Sequence, residues 1–350
     1  MTTRRQQRNN KILVLLATWF QLSQTVSALR ILLTNNNGIE DPGIQLLKDS
    51  LLESGHDVYV YAPTPEQGLA QNNGAGMALT LPFVNVTQVD DAGKEFSVGG
   101  YTSTCVLIGL SAIQAEWFPE LTVDNESEKT FPPRIDLGKQ GLPSATPQIV
   151  DLILSGINDG FTSGNQDFHS GTLGGAMTGL SKGIPSLAIM SDAPDKTDNT
   201  EYFTNVARFV TNLVDTFDDL NFLGTIDPAA AEDGNPTGVW PIGVGLKIIY
   251  PNVRSTEDIL GVVLAENNND FSVTFDYVLS DTMDNMLEVN VFDVEPENGN
   301  TNSTSEAGLV AQGFITALPI KSNIAIPATQ YNANFLAALR DLSDSGNRLL

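Results

Sequence analysis

The stretch from residue 29 to residue 63 leaves the chain little choice of architecture. LRILLT (29–34) is an apolar run of strand length, and DVYVYAP (57–63) is another. Between them Asp41 suits an N-cap and Pro42 the first helical position; Ile44, Leu47 and Leu51 recur at helical spacing, and Gly55 provides a stop. A strand, a helix and a second strand joined this tightly form a right-handed unit with the two strands parallel. Parallel strands bury both faces, so helices must cover the sheet on each side.

The pattern then recurs. IVDLILS (149–155) supplies a third buried strand, a helix is expected over 172–182, and PSLAIM (185–190) supplies another strand. A helix near 204–217 and strand-like VGLKIIY (244–250) follow, separated by the polar linker DPAAAEDGNPTG (227–238). The expected fold is α/β and Rossmann-like, a mostly parallel sheet flanked by helices. Its core covers residues 29–192, and a smaller β-rich C-terminal extension over 193–350 completes the domain. Residues 116–147 are mostly polar and rich in Pro and Gly, and read as an insertion or long loop. No internal repeat is evident.

Residues 1–28 read as a secretory signal. Arg4, Arg5, Arg8 and Lys11 lead into apolar ILVLLATWF (12–20), and VSA (26–28) makes a small-residue cleavage site. The apolar stretch is too short to span a bilayer comfortably. The whole chain carries 42 acidic and 18 basic side chains, a formal charge of −24. Cleavage after Ala28 removes four cations, leaving 14 basic residues against 42 acidic ones, or −28. Such a body repels nucleic acid and anionic membranes, and neither is an expected partner. Sequons at Asn85, Asn125 and Asn302 fit an exported glycoprotein. Cys105 is the only cysteine, so no intrachain disulfide can form; in the apolar run YTSTCVLIGL (101–110) it reads as a small buried hydrophobe. Residues 255–320 hold twelve carboxylates and no Lys or Arg. A solvated β-rich surface accounts for them, and calcium-loop spacing is absent.

Chemistry belongs in the loops at the carboxyl ends of the strands: 34–43, 62–76 and 155–172. None of the three contains Lys or Arg. In the last, Gly156, Gly160, Gly164 and Gly171 let the backbone approach a ligand closely. Ser170, Gly171 and Thr172 open a helix, where free N–H groups and the positive dipole end favour a phosphate. Ser170 taken alone is a helix cap; beside the Asn- and Gly-rich loops, anion binding is the better reading. Of the two histidines, His56 lies between helix and strand and reads as structural. A zinc cluster or a thiol–His pair has no support.

These residues also carry a resemblance. ILLTNNNGIEDPGIQLL followed by GHDVYVYAP resembles the amino-terminal signature of the survival protein SurE family of metal-dependent nucleotidases and acid phosphatases. DLILSGINDG and HSGTLGGAM are similar to its other two signatures, and VGLKIIYPN and GFITALPI to its later strands. The resemblance implies a phosphomonoesterase acting on a nucleotide or other phosphate monoester, with Mg²⁺ or Mn²⁺ as cofactor. It also implies a dimer or tetramer built on the C-terminal segment, where the acidic tract opposes association. The family's first loop reads Asn-Asp-Asp-Gly, and its two aspartates bind the cation; Asn36 and Asn37 stand at those positions. The third ligand position, a serine in the family, falls on Gly68, and the fourth is retained as Asn158. Both anionic ligands are therefore replaced, although hard divalent cations choose carboxylate oxygens. Asp41, Asp159 and Asp167 are the candidates for relocated ligands; Asp41 alternatively caps its helix, while Asp159 and Asp167 alternatively face water. His169 stands where family members commonly carry tyrosine, and reads either as a catalytic proton donor or as part of the pocket wall. The resemblance leaves two functions open: a secreted phosphatase of this type, or a non-catalytic binding or structural glycoprotein on the same fold.

Overall fold

In the computed structural model, residues 28–64, 84–115, 150–194, 199–219, 223, 243–253, 255–265, 274–279, 287–292 and 305–321 are described. The expected signal segment before Ala28, the expected 116–147 insertion, the 227–238 linker, Asn125 and Asn302 lie outside them, as does most of the 62–76 loop with Gly68. Asn85 is exposed. No helix among the described residues is long and apolar enough to cross a membrane.

The first unit forms as its residues dictate. Strand β1 (Arg30–Thr34) and strand β2 (Asp57–Pro63) pair in parallel with Leu32 opposite Tyr59, and helix α1 (Pro42–Glu53) joins them. On the other side of β1 lies β5 (Leu152–Asp159), again parallel, with Thr34 opposite Ser155. Beyond β5 come β6 (Ser186–Ser191) and β7 (Val244–Tyr250), both parallel to it. β11 (Phe314–Lys321) runs antiparallel to β7, and β8 (Gly261–Leu264) closes that edge parallel to β11. The opposite edge is β4 (Glu95–Val98), parallel to β2, with β3 (Val86–Gln88) antiparallel to it. These nine strands form one sheet that runs without a break across residue 192. β9 (Thr274–Leu279) and β10 (Leu287–Phe292) make a separate antiparallel pair.

Alternation along β1 distributes the core. Ile31 and Leu33 face one side and pack with α1 and with α4 (Thr200–Asp219) through Leu47, Val206, Val210 and Phe217. Leu32 faces the other side, against Cys105 and Val106 of α2 (Thr102–Ala115). Further along that second face, Leu173 and Ala176 of α3 (Gly171–Ser181) and Val310 of α5 (Glu306–Ala311) cover Ala188, Met190 and Ile249. Cys105 is fully buried, and desolvation pushes its thiol pKa up. His56 is buried as well; its Nε2 lies 2.9 Å from Asp215, which also accepts from Ser54 and so ties the end of α1 to α4.

Two features differ from the sequence expectation. β5 continues to Asp159 instead of stopping at Ser155, because Gly156 permits a positive φ of 140° and the register against β6 shifts between Ser155 and Asn158. The short strands β3 and β4, three and four residues long, form by pairing, β4 with β2 and β3 with β4.

Candidate functional site

The helices that follow β1 and β5 leave on opposite faces of the sheet, so the two neighbouring strands open a crevice at their carboxyl ends. The three amides after β1 each have a separate task. Asn35 is fully buried and builds the turn: its Oδ1 accepts from the Gly38 N–H at 3.1 Å, and its Nδ2 donates to the Gly38 carbonyl at 2.8 Å. Asn36 is 5 % exposed, and its Oδ1 accepts from the Thr172 hydroxyl at 3.0 Å. Asn37 Nδ2 donates to Asp41 at 3.2 Å.

Asp41 caps α1, its Oδ1 accepting from the Gly43 N–H at 2.9 Å. Burial pushes its carboxyl pKa up, against the pull of the hydrogen bonds from Asn37 and Gly43, and the negative charge of Asp159 adds to the rise. α1 also begins hard against β5: a Cβ on Gly43 would lie 3.0 Å from the Ile157 carbonyl. At the end of β5, Asn158 Nδ2 donates to the Gly160 carbonyl at 2.7 Å, and the Ser191 hydroxyl donates to the Asn158 carbonyl at 2.8 Å.

The chain then passes through a 3₁₀ turn, Gly164–His169, into α3. Ser170 caps that helix, its Oγ accepting from the Leu173 N–H at 3.1 Å. Gly171 and Thr172 occupy the first two helical positions, whose N–H groups have no partner within a helix. Ser170 and Thr172 are buried, whereas His169 is exposed. The Asn36–Thr172 hydrogen bond therefore joins the β1 loop to the helix start that suits a phosphate.

Asp167 does not face water. Its Oδ1 and Oδ2 accept from Lys247 Nζ at 2.9 and 3.0 Å, and Thr162 Oγ1 donates to its Oδ1 at 2.7 Å. Lys247 also donates to Glu306 Oε2 at 2.6 Å, and both side chains are fully buried. So the loops lack a cation, as their sequences state, but strand β7 supplies one behind them. The signal was present: VGLKIIY puts one lysine in the middle of an otherwise apolar strand. Glu306 likewise departs from the expectation of a solvated acidic surface.

At the family's ligand positions the described residues offer a hard divalent cation amides and no pair of carboxylates. Asn36 Oδ1 accepts from Thr172, Asn37 and Asn158 donate through their amide nitrogens to Asp41 and Gly160, Asp41 is a cap, and Asp167 is paired with Lys247. No group of three or more His, Cys, Asp or Glu side chains suited to a metal occurs among the described residues. Of the candidates for a relocated ligand, Asp41 caps its helix, Asp167 pairs with Lys247, and Asp159 is exposed at the end of β5. Neutral amide oxygens offset the dehydration of such an ion poorly.

Residues 31–123 and 135–295 match the family model described as survival protein SurE. A 5'-nucleotidase SurE of Wolbachia pipientis from Culex pipiens is 27 % identical over 296 residues, covering 83 % of this chain and 87 % of the relative. The 5'-nucleotidase SurE of Helicobacter hepaticus is 32 % identical over 179 residues, 51 % of this chain and 54 % of the relative. Among solved structures, the SurE protein of Aquifex aeolicus superposes with a TM-score of 0.57 at 20 % identity, over 88 % of this chain and 99 % of that one. That likeness bears out the Rossmann-like α/β fold with its C-terminal antiparallel strands.

Proposed function

The chain belongs to the survival protein SurE family, and from that membership we infer that it handles phosphate monoesters of the nucleotide type. The phosphate would sit at Ser170, Gly171 and Thr172, where the open N–H groups and dipole of α3 favour an anion. The observation that carries this reading is the Thr172–Asn36 hydrogen bond, which sets that helix start against the loop that bears the metal in the family. With both anionic ligand positions held by amides, turnover is far slower than in a member that keeps its aspartates. A divalent ion, where it binds, would polarise the phosphoryl group and activate water. This chain's own residues can orient the ester and shield it, but at the family's ligand positions they offer no carboxylate pair to hold that ion. The N-terminal basic and apolar run supports export, which makes the substrate one met in the secretory pathway or outside the cell.

The test is phosphate release from AMP by the mature chain while Mg²⁺ or Mn²⁺ is titrated. Weak or absent release is expected, together with measurable AMP binding. Asn36→Asp, Asn37→Asp and Gly68→Ser combined should raise both metal affinity and release. A native chain that already binds the metal tightly and turns over briskly overturns the slow-turnover reading. Binding of AMP with no release at all, even in the restored variant, favours the non-catalytic binding protein.

A further inference from the structure

Lys247 sits in the middle of β7 with its side chain wholly out of water, on a sheet covered on both faces. Its ammonium meets two carboxylates, Asp167 and Glu306, so the cluster holds one cation against two acids. Burial pushes the Glu306 carboxyl pKa up, and Lys247 pulls it the other way. Clusters of this kind stabilise a fold poorly. Taking the charges out of water costs about as much as their attraction returns, and apolar residues of similar volume often serve as well or better.

What the cluster does fix is position. Asp167 lies in the 3₁₀ turn three residues before Ser170. Phe168 is 68 % exposed, and His169 is exposed too. Against this, Asp167 receives three hydrogen bonds, two from Lys247 and one from Thr162. Lys247 is in turn gripped by Glu306 at the first position of α5, whose start is capped by Ser305. The anchor of the turn therefore comes from residues 80 and 139 positions further along the chain, both in the C-terminal extension.

We propose that Lys247, Asp167 and Glu306 form a clamp that sets the Ser170–Gly171–Thr172 cradle for phosphate, so that Lys247 and Glu306 are positioning residues although neither touches the ligand. The proposal rests on the phosphate reading above. It makes the C-terminal extension a part of the site and gives the lone lysine of β7 a task that packing does not explain.

The experiment compares the mature chain with D167N and with the apolar replacement K247M/D167L/E306L. Titration calorimetry with AMP and with inorganic phosphate reads the cradle; amide hydrogen exchange reads the turn. The apolar variant should keep or raise its melting temperature yet bind AMP at least about tenfold more weakly, since small misplacements of a binding group are costly. Its amides should exchange faster over residues 164–172 and not elsewhere. D167N leaves the Lys247–Glu306 pair intact and should show the same two effects, which keeps the test open if the triple variant fails to fold. AMP binding equal to wild type in either folded variant overturns the clamp. If the wild-type chain binds neither AMP nor phosphate, the phosphate reading fails instead; exchange then decides the clamp, and an unchanged 164–172 segment overturns it.

Discussion

Asp41 illustrates how much one residue does here by local rules. Its carboxylate holds the first N–H groups of α1 while Asn37 leans on it from the preceding loop. Asp41→Ala should lower stability by about 1 kcal/mol, the usual loss for an N-cap, as read by urea denaturation. Asp41→Asn should recover most of that loss. This cap was legible in the sequence because donor and acceptor lie two residues apart. The same holds for Ser170, whose capping role and place at a helix start follow from a three-residue contact. Lys247 was not legible as a site residue, since its partners lie 80 and 59 positions away and nothing local announces them. Asn36 stands between these cases. The change from the family's aspartate could be read directly, but its bond to Thr172 crosses 136 positions and needed the fold.

At the scale of elements, the strands with continuous apolar runs could be read and the irregular ones could not. β1, β2, β6 and β7 are apolar enough to announce themselves. From sequence β5 ends at Ser155, because two glycines in GINDG look like a loop when the partner strand is unseen. In the fold Gly156 is a strand residue whose backbone nearly touches β6: a Cβ there would come within 2.2 Å of the Ile189 carbonyl. Its φ of 140° is strained for any other residue. Gly156→Ala should therefore cost on the order of 3 kcal/mol and shift Asn158 and Gly160 with it. Chemical denaturation checks the first effect, and loss of AMP binding in the still-folded fraction checks the second. A similar close approach seats α3: a Cβ on Gly175 would fall 2.6 Å from the Ser155 hydroxyl, which explains that glycine in a helix that is otherwise well formed.

At the scale of the molecule, charge sets the response to pH. Burial raises the carboxyl pKa values of Asp41, Asp192 and Glu306 above their ordinary values. Between the ordinary and the raised value the folded chain binds more protons than the unfolded one, so stability falls as pH rises through that window. The net charge of −24 acts in the same direction, since self-repulsion grows as the remaining acids ionise. The melting temperature by circular dichroism should accordingly be higher near pH 5 than near pH 7.5, and added salt should narrow the gap by screening. A melting temperature that climbs steadily from pH 5 to 7.5 would contradict this account.

The unbroken pairing of β6 with β7 also governs what becomes of a damaged copy. A copy that ends shortly after Asp192 lacks the neighbour that pairs with Leu187 through Ser191, baring a row of backbone donors and acceptors on a strand whose every side chain is buried in the whole chain. Such a rim invites pairing with any other extended chain. The severed amino-terminal half would thus clump and be cleared, and would not linger as a miniature of the parent.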